Sequence, residues 1–362
     1  MKRLFRRRFL GGAATALALM VLSVAGLVAS ASAAGANAYT VTNLVSDVPG
    51  MASTVDSDLV NAWGLTSLPT SPWWVADNGT NVSTLYQADG TKRSLTVQVP
   101  NAPTGAVSNT GANFVVATET GAGPALFIFA TEEGKILGWN PSASLTRAQV
   151  AVDQSGIGTV FKGLAIASTA GGDFLYATDF HHGRVDVFDG SFNPVNTPGA
   201  FVDPHIPLGY APFGIQNVGG MIAVTYAKQD ANRHDDVAGQ GHGFVDMFDT
   251  SGKLLVRVAT HGQLNSPWGL AMAPAGFGSF GGDLLVGNFG DGQISAFEPQ
   301  PDGTFELVGQ LRTGARKVLT IDGLWSLQFG KGAANNGSTG TLFFTAGPDG
   351  EMHGLFGTIT AG

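Results

Sequence analysis

The stretch KGLAIASTAGGDFLYATDFHHGRVDVFD, residues 162–189, holds three phrases in a row. It opens on a glycine set between a bulky and an aliphatic residue, Lys162-Gly163-Leu164. An apolar run with a polar end follows, Phe174–Asp179. It closes on an apolar–polar alternation into an acidic turn, Gly183-Arg184-Val185-Asp186-Val187-Phe188-Asp189. Alternation with period two, cut by turn residues, reads as short antiparallel strands. Working outward, the first phrase recurs as Trp63-Gly64-Leu65, Phe213-Gly214-Ile215 and Trp268-Gly269-Leu270, with weaker copies at Thr104-Gly105-Ala106 and Trp325-Ser326-Leu327. The middle positions are spaced 41, 58, 51, 55 and 57 residues apart, which makes six units.

The second phrase recurs at Trp73–Asp77, Phe114–Glu119, Met221–Tyr226, Leu284–Asn288 and Leu342–Ala346. The third is clearest again at Gly243–Asp249 and Gly292–Glu298, and shorter at Ser83–Tyr86 and Lys135–Asn140. A less regular fourth stretch follows in several units, as at Ser94–Val99, Gln149–Val152 and Lys253–Val258. Four short strands per unit and six units predict an all-β, six-bladed β-propeller over residues 39–359. One blade cannot bury both its faces, whereas blades packed radially cover one another. The sixth unit, with strands at Trp325–Phe329, Leu342–Thr345 and Glu351–Ile359, lacks a fourth strand. The β-rich segment Tyr39–Val45 is placed to supply it and close the ring.

Composition agrees. Hydrophobic residues make up 44% and charged residues 13% of 362, enough for a large core, and the 52 glycines suit many tight turns. Residues 1–33 read as a signal peptide: a basic start, an apolar run from Leu10 to Val28, then Ala31-Ser32-Ala33. Arg6-Arg7-Arg8-Phe9-Leu10 fits both a twin-arginine signal and an ordinary secretory start. A retained anchor stays open from the run's length, while the Ala-Ser repeats favour cleavage. Without the leader, 14 basic residues face 27 acidic ones, a balance of −13 with histidine neutral. An acidic, exported body argues against nucleic acid and anionic membranes, and leaves the membrane only the uncleaved leader as a contact. There is no cysteine, hence no disulfide or thiolate site.

On these phrases, from Tyr39 to Ile359, the chain resembles the NHL-type propellers and, more distantly, the six-bladed lactonase and gluconolactonase group. Asn61-Ala62-Trp63-Gly64-Leu65 and the Lys228–Gly243 insertion resemble a family of exported bacterial propeller proteins, some with a PEP-type sorting tail. The chain ends in Gly357–Gly362 without such a tail. This likeness implies fold and export and brings no reaction with it. The lactonase likeness implies a divalent cation in the axial channel that polarises the substrate.

In a four-stranded blade the turns after second strands converge on one face. The expected rim is Asp77-Asn78, Glu119, Asp179 with His181-His182, Lys228-Gln229-Asp230, Asn288 with Asp291, and Pro348-Asp349, with Asn61 and Asp322 just before first strands. Oxygens converging from Asp77, Asn78, Glu119, Asp179, Asn288 and Asp322 would suit Ca²⁺. Asp and Asn also favour turns for their own backbone bonds, and that reading stays open. His181 or His182 could act as a general base or ligand. The insertion Lys228–His242, with Asp230, His234, Asp235 and Asp236, is long enough to be a binding loop. Tryptophans 63, 268 and 325 recur in phase and are expected to pack between blades. No nucleophile elbow, zinc helix or phosphate loop is present. Two functions follow: a binding module for a small molecule or an extracellular protein or polymer, using the loop face, or a metal-dependent lactone or ester hydrolase.

Overall fold

Six four-stranded antiparallel meanders stand around one axis in the computed structural model, which describes residues 36–362. The leader expected at 1–33 lies outside the described residues. Blade 1 runs Ala62–Thr66, Trp73–Asp77, Val82–Tyr86 and Val97–Gln98. Blade 2 runs Pro103–Ser108, Phe127–Thr131, Lys135–Trp139 and Gln149–Asp153. Blade 3 is Phe161–Thr169, Gly172–Asp179, Arg184–Asp189 and Pro194–Val195. Blade 4 is Tyr210–Val218, Met221–Lys228, Phe244–Phe248 and Leu254–Thr260. Blade 5 is Pro267–Met272, Leu284–Asn288, Ile294–Pro299 and Phe305–Gln310. Blade 6 is Leu324–Phe329, Leu342–Ala346 and Leu355–Ala361, completed from the other end of the chain by Tyr39–Ser46. A short parallel strand, Thr54–Val55, covers the outer edge of that closure.

The latch is an antiparallel pairing from Tyr39↔Ala361 to Ser46↔Leu355, bulged between Asn43 and Val45. Tyr39 also reaches into blade 5. Its hydroxyl donates to the Phe277 carbonyl at 3.1 Å, and its ring stacks on Phe280 at 6.1 Å. The ring is thus tied by backbone to blade 6 and by side chain to blade 5.

The second strand of blade 2 is not where the sequence puts it. Phe114–Glu119 belongs to an inserted hairpin, Val115–Thr118 with Gly121–Pro124, and the blade strand is Phe127–Thr131. Burial explains the exchange. Phe127–Thr131 is buried at every position, as second strands between two blades must be, whereas Val115–Thr118 alternates with Val115 and Ala117 facing solvent.

Each phrase glycine sits where neighbouring first strands touch. A Cβ on Gly64 would lie 2.3 Å from the Thr104 carbonyl oxygen, and one on Gly214 would lie 2.1 Å from that of Trp268. Threonines on second strands reinforce the contact. Thr178 Oγ1 donates to the Phe213 carbonyl, and Thr225 Oγ1 to that of Pro267, each in the next blade. Gly214→Ala is expected to cost about 2–3 kcal/mol, because the obstructing atom is backbone and cannot step aside. A urea titration followed by tryptophan fluorescence checks this, and a loss below about 0.5 kcal/mol would contradict it.

The axis is packed rather than open. Trp63, Trp268 and Trp325 do not separate blades but meet one another, with ring centroids 3.9 Å apart for Trp63–Trp325 and 5.9 Å for Trp268–Trp325. Phe213 and Phe289 complete the plug. Leu65, Ala106, Leu164, Ile215, Leu270 and Leu327, the aliphatic residues of all six phrases, surround an axial void of about 10 Å³. Trp73 and Trp74 point to opposite sides of blade 1, the former against Phe343 and the latter stacked on Phe127.

Candidate functional site

Above the aromatic plug, on the face where second strands turn into third strands, lies a polar hub centred on Lys162. This lysine stands in the first strand of blade 3, in the slot where four of the five other copies of the phrase carry Trp or Phe. Its side chain is 2% exposed. The ammonium is bonded to Glu132, lies 3.1 Å from Asp235 Oδ1, and sits 5.1 Å above the Trp63 ring. Trp268 Nε1 donates to the Lys162 carbonyl at 3.2 Å, so plug and hub are joined.

Amides extend the hub across three blades. Asn78 Nδ2 donates to Glu132 Oε2 at 2.9 Å. Asn61, in the left-handed region at φ 47°, donates through Nδ2 to Glu351 Oε2 at 2.7 Å and to Asn78 Oδ1 at 3.2 Å. Its own Oδ1 accepts from Trp325 Nε1 at 3.0 Å. The result is one connected set in which a single ammonium faces several carboxylates.

Electrostatics fix the protonation states. Burial alone would lower the Lys162 pKa, but the charges of Glu132 and Asp235 outweigh it and hold the ammonium above the usual lysine range. Burial likewise works to raise Asp235, yet Lys162 and His234 keep its carboxyl below the usual range. Glu351 is pushed up by burial, with the Asn61 bond and Lys162 opposing. Asp236, half-buried behind the loop, is also raised by burial. A lysine held charged is an electrostatic anchor and not a nucleophile at neutral pH.

The insertion supplies one wall and is internally ordered. Asp230 Oδ1 accepts the amide of His234 at 2.8 Å, curling the loop so that Asp235 reaches Lys162. Gln229 and Asp236 form a bridge, and Val237 N–H donates to the Lys228 carbonyl at 2.8 Å. His234 Nδ1 lies 3.0 Å from Asp235 Oδ1. Ligand atoms of Glu132, His234 and Asp235 all lie within 4.8 Å of one another, close enough to share a metal ion.

Most of the residues expected as a calcium ring are engaged in local contacts. Asn78 joins the hub, but Asp77 Oδ2 accepts the Thr84 amide of its own blade at 2.9 Å, and burial raises its carboxyl well above the ordinary value. Asp179 is held by His182 Nδ1 at 2.6 Å and by Arg184 at 3.3 Å, and burial pushes it up against that pairing. Asn288 donates to the Gln263 carbonyl and to Asp291, which in turn accepts the Gln293 amide. Asp322 accepts the Asp349 amide. These side chains shape turns, as Asp and Asn at strand ends do. Glu119 lies in the inserted hairpin, between a first and a second strand. In a meander that connection is on the opposite face from the rim. The equivalent rim residue is Glu132. His182 is committed to Asp179, and His181 meets it edge to face at 4.9 Å.

No protein-family model matches the chain. It is 32% identical over 329 residues to uncharacterized protein R648 of Acanthamoeba polyphaga mimivirus, covering 87% of this chain and 78% of that protein. Its identity to uncharacterized protein L690 of the same virus is 32% over 336 residues, covering 89% and 85%. Among solved structures it is similar to a protein of unknown function from Bacteroides thetaiotaomicron, with TM-score 0.56, 10% identity and coverage of 89% and 76%. It is also similar to a glucose dehydrogenase, with TM-score 0.53, 13% identity and coverage of 89% and 100%. At such identity these two support the fold alone. The sequence relatives are viral proteins, where exported bacterial ones were expected. The chain belongs to the propeller family that includes the mimivirus proteins R648 and L690.

Proposed function

We propose that this propeller is a binding module and that the hub above the plugged axis is its recognition site. The observation that carries this is the Lys162 ammonium, seated among Glu132 and Asp235 and held charged. It engages two of the three carboxylate and imidazole groups that could share an ion there and ties down the loop that walls the site. What remains for a ligand is carboxylate and amide oxygen from Glu351, Asp235, Asn61 and Asn78, which suits a small molecule rich in hydrogen-bond donors, a polyol or an amine. The acidic body and the basic-apolar leader support an exported protein meeting such ligands outside the cell.

The metal-dependent hydrolase is the second reading, favoured by the spacing of Glu132, His234 and Asp235. A divalent ion there must compete with the Lys162 ammonium for two of its three ligands. One experiment separates the readings. The leader-free protein is screened by thermal shift against sugars, polyols and diamines, and assayed for lactone hydrolysis with Ca²⁺ or chelator. Binding at a hundredfold excess over Kd should stabilise by about 2.7 kcal/mol, and Glu351→Gln should abolish the shift. Chelation should leave the melting temperature unchanged. Calcium-dependent lactone turnover that disappears in Glu132→Gln would overturn the binding reading in favour of the hydrolase.

A further inference from the structure

Between blades 3 and 4, outside the hub, a groove of about 480 Å³ opens to solvent. It lies within the usual size range of small-molecule sites. The segment joining the two blades forms an apolar wall, with Phe201, Ile206, Leu208 and Tyr210 among its residues, and Leu208 is fully exposed. The blade 3 turn, His181-His182, and Arg233 of the insertion also line it. The insertion is therefore two-sided. Asp235 faces Lys162, while Arg233 faces the groove.

Its charges are unequal in a telling way. The carboxylates here are already satisfied: Asp203 by Arg257 and by the His205 amide at 2.7 Å, Asp230 by the amides of His234 and Asp235. The donors are not. Among the described residues the Arg233 guanidinium has no ion-pair or hydrogen-bond partner, nor does the His181 ring have a hydrogen bond. Tyr226, only 3% exposed, lines the groove with its phenol next to the Asp246 carboxylate. Burial raises this phenol well above its ordinary pKa, so it stays protonated.

We propose that the groove between blades 3 and 4 is a second binding site, for a small amphiphilic anion whose apolar body lies on the Phe201–Tyr210 wall and whose acidic group meets Arg233. An exposed guanidinium without a partner, lining the same groove as exposed Leu208 in an acidic protein, is complementary to that chemistry and not to a sugar or a metal. The site does not depend on the hub.

The test uses two dyes with the same ring system, anionic 8-anilinonaphthalene-1-sulfonate and neutral N-phenyl-1-naphthylamine, titrated by fluorescence. Saturable binding of one sulfonate dye per chain is expected. Arg233→Gln should weaken that dye about tenfold and leave the neutral one unchanged, on the scale of one charge-assisted contact. Arg233→Lys should restore most of the loss. Leu208→Ser should weaken both dyes about fivefold. Glu351→Gln should alter neither, which keeps this outcome separate from that of the hub. Arg233 is exposed, so its variants should melt with wild type. Non-saturating fluorescence, or equal sulfonate affinity in wild type and Arg233→Gln, would overturn the proposal.

Discussion

Replacing Tyr39 and Val45 together by alanine is expected to cost about 5 kcal/mol, a large share of the ~5–15 kcal/mol that keeps a domain folded. Both side chains are buried, at 2% and 0% exposure, and they sit near opposite ends of the latch strand. Tyr39 loses its ring contacts with Phe277 and Phe280 and its hydrogen bond to the Phe277 carbonyl. Val45 leaves a gap in the cluster between blades 6 and 1. Because the two sites are far apart along an extended strand, their costs should add. The larger consequence is topological. Once the latch peels away, Leu355–Ala361 becomes a seven-residue free edge, ready to pair with another chain. Calorimetry should show a melting temperature lower by about 10 °C, and light scattering should show concentration-dependent association below that temperature. A variant that melts like wild type and stays monomeric would mean that the ring holds without its latch.

Lys162→Met should cost about 3 kcal/mol, the scale of breaking a buried pair from one side. Glu132 is then left mostly buried without its cation, whereas Asp235 is exposed enough for water to compensate it and adds little. The local effect should exceed the global one. Without the 3.1 Å contact to Lys162, the 229–242 loop loses its tie to the axis, and its amides should exchange with solvent faster while those of the blades do not. The pH dependence has a definite sign. A lysine whose folded pKa is raised adds stability that is complete below its unfolded value and lost as pH rises through the folded one. Asp235, lowered on folding, adds stability that is lost only as pH falls through its depressed value. The gap between wild type and Lys162→Met should therefore stay constant between pH 6 and 9. A gap that closes within that range would mean that Lys162 is neutral there.

The ring could be read in the sequence because its packing rule is written at fixed positions. A glycine must stand where first strands cross, as at Gly64 and Gly214, and an aliphatic residue must follow it toward the axis. The latch was legible for the opposite reason, a missing strand at one end and a surplus one at the other. The second strand of blade 2 was misplaced because two apolar runs compete for the role. The signal that separates them is continuous burial-type sequence at Phe127–Thr131 against alternation at Val115–Thr118. That single slip moved the expected rim carboxylate from Glu132 to Glu119 and hid the hub.

Lys162 was overlooked because it fills a bulky slot in a packing phrase. The clue was there, since the other strong copies carry Trp or Phe at that position. Asn61, Asn78 and Asp235 were legible as loop-face polar residues, but their assembly around a lysine was not, because it joins residues from five blades with no local spacing. Asp77, Asp179 and Asn288 show the converse: strand-end residues of the right chemistry whose side chains turn back into their own blades.

The latch also sets an order of events during synthesis. Blades 1 to 5 pair strands that lie close in sequence, so each can assemble soon after it is made. The latch instead pairs Tyr39 with Ala361, and Gly362 N–H donates to the Ala38 carbonyl at 2.8 Å. The first strand of the domain must therefore wait for Leu355–Ala361 to gain its long antiparallel pairing, though Thr54–Val55 can join it early. The circle closes only once Leu355–Ala361 has been made, and a chain lacking that strand leaves Tyr39–Ser46 without its antiparallel partner.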